Sequence, residues 1–426
     1  MPSKVGNPGA VGVGERVHWI GALDPGMRTF DLILRTPNGT TYNSYCVRGS
    51  DGVAIIDTVK EEHADAFFAR LEAVCRYDEI KAIVLNHLEP DHAGALPELV
   101  RRAPQARLYI SASGLGMLKA ILKRLPNAER IACTTVTTGD TVSLGDRTLH
   151  FLQTPYLHWP DTMCTWVPEE RILFSGDVFG CHFCDARLFD DRCGDFRFAF
   201  DYYYAHIMRP FRQFVLDALE LIDPLGAQCI APAHGPILRS QHRKFVERYR
   251  LLSQPREASD EKSLLVFYLS SYGNTKRMAE AVVDGASQVE GLRVSLYDLE
   301  GAEIEPFVDL IEDIDAFAIG SPTINGDAVK TVWDLLSSLT RVHVKGKIGA
   351  AFGSYGWSGE AVRLIEERMR GLKLRTPVAG VKVKLIPNEQ DLDTCRAFGE
   401  ELGRWVLGKQ APREIDLSDL VAAPAA

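Results

Sequence analysis

The last third of the chain alternates apolar runs with amphipathic stretches, and this period constrains the fold more than any other feature. The runs LLVFYL (264–269), RVSLYDLE (293–300), AFAIGS (316–321), KIGAAFGS (347–354) and VKVKLI (381–386) read as strands. Helical patterns begin near Thr275 and Gly359, and a final one ends near Leu407. A chain that returns to the same sheet through a helix must lay its next strand parallel to the last, by a right-handed crossover. The segment therefore predicts a doubly wound parallel sheet of the α/β class.

Upstream the pattern differs. Short β-branched runs such as VAIID (53–57), AIVLN (82–86), RLYIS (107–111) and RILFSGD (171–177) end in polar residues, with amphipathic stretches between only some of them. That predicts mixed sheets flanked by helices, an α+β arrangement. The polar segment SQPREASDEKS (253–263), which contains Pro255, separates the two patterns and reads as a linker. Two domains are expected, residues 1–255 and 262–410, since 426 residues suffice for two cores. The closing VAAPAA reads as a disordered tail.

Charge and apolar content exclude several function classes. The net charge is −9 with both signs interspersed, which disfavours nucleic acid as a partner. No apolar stretch approaches the roughly 20 residues that cross a bilayer, and the first residues lack the apolar core of a signal peptide. The expectation is a cytoplasmic protein that does not bind membranes. Nine cysteines, an odd number scattered along the chain, suit reduced thiols. Only Cys181 and Cys184 have a CxxC-like spacing. A thiolate metal site needs four such ligands, so these two read as inert thiols beside a site.

Chemistry concentrates first in Asn86-His87-Leu88-Glu89-Pro90-Asp91-His92, directly after AIVLN. Four donor-type residues within six positions of a loop leaving a strand can enter one cavity. Histidine with carboxylate and no thiolate suits iron or manganese better than structural zinc. Three further donors each follow an apolar run among turn formers: His158 in YLHWPDT, Asp177 in LFSGDVFG and His234 in IAPAHGP.

In the second half, Ser270-Ser271-Tyr272-Gly273-Asn274-Thr275 lies between a strand and a helix. Its hydroxyls, its backbone N–H groups and the positive helix end could hold a terminal phosphate. It matches neither a Walker loop nor a dinucleotide fingerprint. Two later loops, Ser321-Pro322-Thr323-Ile324-Asn325-Gly326 and Gly353-Ser354-Tyr355-Gly356-Trp357-Ser358-Gly359, fall at carboxyl ends of strands, where such sheets bind ligands. Their glycines let backbone approach a planar ring, and Tyr355 or Trp357 could cover one.

The donor series resembles the metallo-β-lactamase fold, whose zinc hydrolases carry H-x-H-x-D-H followed by His, Asp and His. Here Glu89 replaces the second histidine, as in the flavodiiron branch of that fold. A carboxylate adds hard oxygen donation and negative charge, which favours ferric iron. The three later loops resemble the FMN site of the flavodoxin family. Over about residues 15–408 the chain resembles flavodiiron proteins, which implies a metallo-β-lactamase-like αββα sandwich followed by a flavodoxin-like domain.

The resemblance assigns His87, Glu89 and His158 to one iron and Asp91, His92 and His234 to the other, with Asp177 bridging. It places FMN on Ser270–Thr275, Ser321, Pro322, Thr323, Asn325 and Gly353–Ser358. It implies an enzyme that reduces oxygen to water, nitric oxide to nitrous oxide, or both. A separate donor, such as a rubredoxin or a flavin reductase, would supply electrons. A head-to-tail homodimer, or a tetramer built from it, would set the flavin of one chain against the irons of its partner. The run Tyr202-Tyr203-Tyr204 resembles a segment that supplies a pocket tyrosine, Tyr203 or Tyr204. Relatives place a histidine near the irons where this chain has Asp31. The rivals are a dinuclear zinc hydrolase fused to a redox domain and a flavodoxin-type electron carrier with an inert metal domain.

Overall fold

A computed structural model describes residues 9–30, 34–123, 125–254 and 261–409. Asp31, most of the linker and the VAAPAA tail lie outside the described residues. The chain divides after Gln254 into two compact units.

The first unit is built on two sheets. One has seven strands in the order Val11–Gly12, Val17–Trp19, Tyr45–Arg48, Val53–Ile56, Ile80–Val84, Arg107–Ser111 and Cys133–Val136. The other has five, in the order Thr141–Ser143, Thr148–Gln153, Met163–Val167, Ile172–Gly176 and Cys229–Pro232. Successive residues of a strand point to opposite faces, so each strand feeds two cores. In Val53–Ile56, Ala54 and Ile56 join the layer shared with Phe151, Phe174 and Ala231 of the second sheet. Ile55 faces the other way, onto Phe67, Leu71, Leu99 and Leu118 of the helices that cover the first sheet. Leu152, Trp166 and Leu173 likewise meet Phe200, Val215 and Leu219 outside the second sheet. The result is a helix–sheet–sheet–helix sandwich.

The second unit is a parallel sheet in the order Leu292–Asp298, Lys262–Tyr268, Ala316–Gly320, Ile348–Tyr355 and Val381–Lys384. In chain order this is 2-1-3-4-5, so the connections reverse direction beside the first strand. The helices Glu305–Glu312, Lys330–Ser338 and Glu360–Gly371 cover one face. Asn274–Ser287 and Glu389–Val406 cover the other. This last pair approaches closely at Gly285 and Gly399, where an added Cβ would lie 1.8 Å from the Arg396 carbonyl and 2.0 Å from that of Val282. The α/β and α+β readings thus hold for their respective halves.

Candidate metal centre and flavin site

The strand Ile80–Val84 delivers the first four donors. Its chain runs on through residues 85–89 into the short helix Pro90–Ala93, whose proline occupies a first-turn position where no N–H is needed. The loop is clamped from below by Asp57, which sits at φ 55° and accepts hydrogen bonds from the N–H groups of Asn86 (2.7 Å) and His87 (3.4 Å). Burial pushes the Asp57 carboxyl up to about 6. Asn86 ties the loop to the second sheet: its carbonyl accepts from Met163 N–H (2.9 Å), and its side chain accepts from the Thr165 hydroxyl (2.8 Å). His158 enters from the turn after Thr148–Gln153, Asp177 directly follows Ile172–Gly176, and His234 follows Cys229–Pro232. All seven predicted donors therefore stand at strand ends of one rim, and all but the half-buried His158 are buried.

Asp177 divides this cluster. Its Oδ2 lies 3.7 Å from His87 Nε2 and 3.6 Å from His158 Nε2, and both of those nitrogens are 3.1 Å from Glu89 Oε2. Its Oδ1 lies 3.4 Å from His92 Nε2 and 3.6 Å from His234 Nε2. Asp91 completes that side, 3.3 Å from His92 Nε2 and 3.1 Å from His234 Nε2.

Two outer groups orient the imidazoles. The Thr41 carbonyl, 2.7 Å from His234 Nδ1, can only accept, so it fixes the proton there and leaves Nε2 as the donor atom. Asp161 plays the same part for His87 Nδ1 at 3.1 Å and also accepts from Leu88 N–H at 2.8 Å.

Buried polar atoms normally find hydrogen-bond partners. Here both oxygens of Asp91, both of Asp177 and His92 Nε2 are buried without one. Burial alone would raise the Asp177 carboxyl, but His92, His87 and His234 hold it well below the usual carboxylate range. Ionised oxygens and an orphaned imidazole nitrogen, clustered with further histidines and without a thiolate, fit two divalent cations of the iron type.

The surroundings include one residue that the sequence reading missed. His182 is buried, with ring centroids 5.1 Å from His234 and 5.0 Å from Tyr203. It lines a cavity of about 530 Å³ together with Arg28, Arg35, Phe198 and Tyr203. Its only advance signal was its place five residues after Asp177. Burial, then the nearby His234, push its imidazole down to about 3. Burial and the charge of Asp177 push the Tyr203 phenol well up, so it stays protonated. Tyr204 turns away and sits with its hydroxyl 2.6 Å from the Ser253 hydroxyl. The thiols of Cys181 and Cys184 are both raised by burial, the latter to about 11.

In the second unit, a cavity of about 340 Å³ gathers Ser270, Ser271, Tyr272, Asn274, Pro322, Thr323, Ser354, Tyr355, Gly356 and Trp357 from the three predicted loops. It opens at the carboxyl ends of the strands, beside the reversal of strand order. Gly273, at φ 78°, turns the chain into the helix Asn274–Ser287, and the buried Ser270 hydroxyl above it has no partner. An orphaned hydroxyl at a helix N-terminus fits a phosphate.

The remaining predicted residues support these loops from behind. Thr275 places its hydroxyl 2.9 Å from that of Ser354. Ser321 is buried, and its carbonyl would lie 2.1 Å from a Cβ added at Gly353. Asn325 turns the middle loop at φ 54°, and Ser358 is half-buried. Tyr272 and Trp357 are 92% and 78% exposed, large rings with little protein against them. Ile324 and Leu385 also line the cavity. Neither stood out in the sequence as a contact, because an exposed apolar residue after a strand resembles any loop residue.

The model of the ODP family of β-lactamases matches residues 40–235, and that of the flavodoxin family matches residues 266–399. A metal domain of the first kind joined to a flavin domain of the second defines a flavodiiron oxidoreductase. The chain is 58% identical to the type A flavoprotein fprA of Rhodobacter capsulatus over 424 residues, 99% of this chain and 97% of that one. It is 34% identical to a nitric oxide reductase of Moorella thermoacetica, over 92% and 98% of the two chains. Among solved structures, the rubredoxin oxygen:oxidoreductase of Desulfovibrio gigas superposes with a TM-score of 0.66 at 30% identity, covering 94% of this chain and 99% of that one. The chain belongs to the type A flavoprotein family, the flavodiiron proteins, and its cofactors are FMN and a diiron centre.

Proposed function

We propose that this protein reduces oxygen to water, nitric oxide to nitrous oxide, or both. The observation that carries the reading is the division of Asp177. One carboxylate oxygen faces His87 and His158, which also meet Glu89, while the other faces His92 and His234, which also meet Asp91. These residues would hold the two metals in the sets that the resemblance assigns, with Asp177 shared between them. A carboxylate shared in this way would keep two metals close enough to engage one small substrate. The names of the Moorella and Desulfovibrio relatives, a nitric oxide reductase and a rubredoxin oxygen:oxidoreductase, support the two gases as substrates.

When bound, two ferrous ions and one reduced FMN together supply the four electrons that oxygen needs, or the two that a pair of nitric oxide molecules needs. The chain supplies the rest. Thr41 and Asp161 hold two imidazoles in the tautomer that presents Nε2. Tyr203 brings a protonated phenol to the edge of the centre. Phe30 packs its ring 4.5 Å from that of His182, and Phe198 lines the neighbouring cavity together with Arg28 and Arg35.

FMN is read onto Ser270–Thr275 for its phosphate and onto Pro322–Asn325 and Gly353–Ser358 for its ring. A separate protein, a rubredoxin or a flavin reductase, is proposed as donor. The assembly is proposed as a head-to-tail homodimer or a tetramer of such dimers, working in the cytoplasm. No helix among the described residues is long and apolar enough to cross a membrane.

The test is anaerobic reduction of the purified protein, then separate exposure to each gas while the flavin spectrum and total metal are followed. Rapid flavin reoxidation with two irons per chain supports the reading. Zinc in place of iron, with ester or amide hydrolysis, would establish the hydrolase instead. Iron with no response to either gas would leave an electron carrier.

A further inference from the structure

His182 lies beside the centre yet belongs to neither donor set. Its side chain is buried, and its Nε2 has no hydrogen-bond partner. Its Nδ1 lies 3.0 Å from the Thr40 hydroxyl oxygen. That hydroxyl has one proton and two possible acceptors. The alternative to Nδ1 is the Thr41 carbonyl, which is farther away at 3.3 Å and already takes the His234 Nδ1–H at 2.7 Å. Donation from Thr40 to His182 Nδ1 is therefore the better use of the proton. It places the ring hydrogen of the neutral imidazole on Nε2. An Nε2 that carries hydrogen cannot ligate a metal, but it can donate to something bound next to one. The ring is wedged among Phe30 (4.5 Å), Tyr203 (5.0 Å) and His234 (5.1 Å) and lines the cavity on this side of the centre. It has little freedom to seek another partner.

We propose that His182 donates a hydrogen bond from Nε2 to the small ligand held at the metal pair, and that Thr40 is the positioning residue that fixes this tautomer. The proposal rests on the diiron reading above. A diatomic molecule gains negative charge as it is reduced, and a fixed, buried N–H stabilises that charge more than it stabilises the neutral gas.

The test uses the iron- and FMN-loaded protein with azide as the probe, an anion of the right size that reports hydrogen bonding through its infrared antisymmetric stretch. His182→Leu should keep two irons and one FMN per chain, shift the azide band and weaken azide binding by roughly 10- to 100-fold, as expected for a lost bond to a charged acceptor. Thr40→Val should shift the band in the same direction by less, and Thr40→Ser should restore it. Two results overturn the proposal: an azide band and affinity unchanged in His182→Leu, or loss of iron from that variant, which would make His182 a ligand. Should His182→Leu not fold, Thr40→Val decides alone, and an unchanged band there is a refutation. Wild-type protein without iron would bring down the diiron reading itself, a failure distinguishable because it appears before any substitution is made.

Discussion

Asp161 offers the sharpest test of how the first unit holds its centre, because it touches no metal position itself. Its carboxylate is buried and accepts from His87 Nδ1–H at 3.1 Å and Leu88 N–H at 2.8 Å. Burial alone would raise its pKa, but His87 outweighs that, so the group stays ionised at neutral pH. Asp161→Ala removes the acceptor that holds the proton on His87 Nδ1, while Leu88 N–H still has His87 Nδ1 at 3.0 Å to donate to, so the folded state should lose about 1–3 kcal/mol. His87 would also be freed to rotate or change tautomer, and loss of such an outer partner typically weakens metal binding about 10- to 100-fold. The assay follows iron retained per chain against rising chelator, with bound FMN as an internal control from the other unit. Iron should leave at chelator concentrations lower by that factor while FMN stays, and the thermal unfolding midpoint should fall. Wild-type iron retention with an unchanged midpoint would refute the claim that Asp161 orients the site.

Other expectations follow from the same geometry. Asp177→Ala should abolish iron binding and gas reduction while FMN content stays at one per chain, as metal analysis and the flavin spectrum would show. Mixed with a flavin-free Ser270→Ala, Thr275→Ala double variant, it should regain activity by subunit exchange if the head-to-tail dimer is right. Verified but inactive heterodimers would argue for transfer within one chain. Gly353→Ala puts a Cβ 2.1 Å from the Ser321 carbonyl, and such overpacking costs about 1–3 kcal/mol. It should loosen FMN by at least tenfold in a fluorescence titration, with iron unaffected.

A pH effect is expected at Glu79, whose carboxyl is pushed down to about 2, first by the Arg48 hydrogen bond (3.0 Å) and then by Arg76 N–H. A depressed carboxylate stabilises the fold above its unfolded value near 4.5 and loses that contribution as pH falls toward 2. The stability gap between wild type and Glu79→Gln should therefore be larger at pH 6 than at pH 3 in urea unfolding. A gap of equal size at both would contradict the ion pair.

Much of this protein is written locally in its chain. The strand–helix period after residue 263 dictates a parallel sheet, because a helical crossover leaves no other way to return. The donor types in His87–His92 and the hydroxyls and glycines of Ser270–Thr275 state their chemistry by identity and position at strand ends. Even the carboxylate in place of a second histidine, Glu89, is visible without a structure. What tertiary structure alone decided is how distant residues meet.

Which Asp177 oxygen serves which donor set depends on strand ends folded from four separate segments. The tautomers of His87, His182 and His234 are set by partners 74, 142 and 193 residues away. Asp161, Thr40 and Thr41 gave no signal in the sequence because acceptors of their kind are common everywhere. Tyr203 and Tyr204 are neighbours of one type, and only the way that helix lies on the second sheet turns one toward Asp177 and the other toward Ser253. Ligand identity is carried by side-chain chemistry, which a sequence states outright. Ligand orientation is carried by hydrogen bonds between residues far apart in the chain, which exist only once the two sheets have packed.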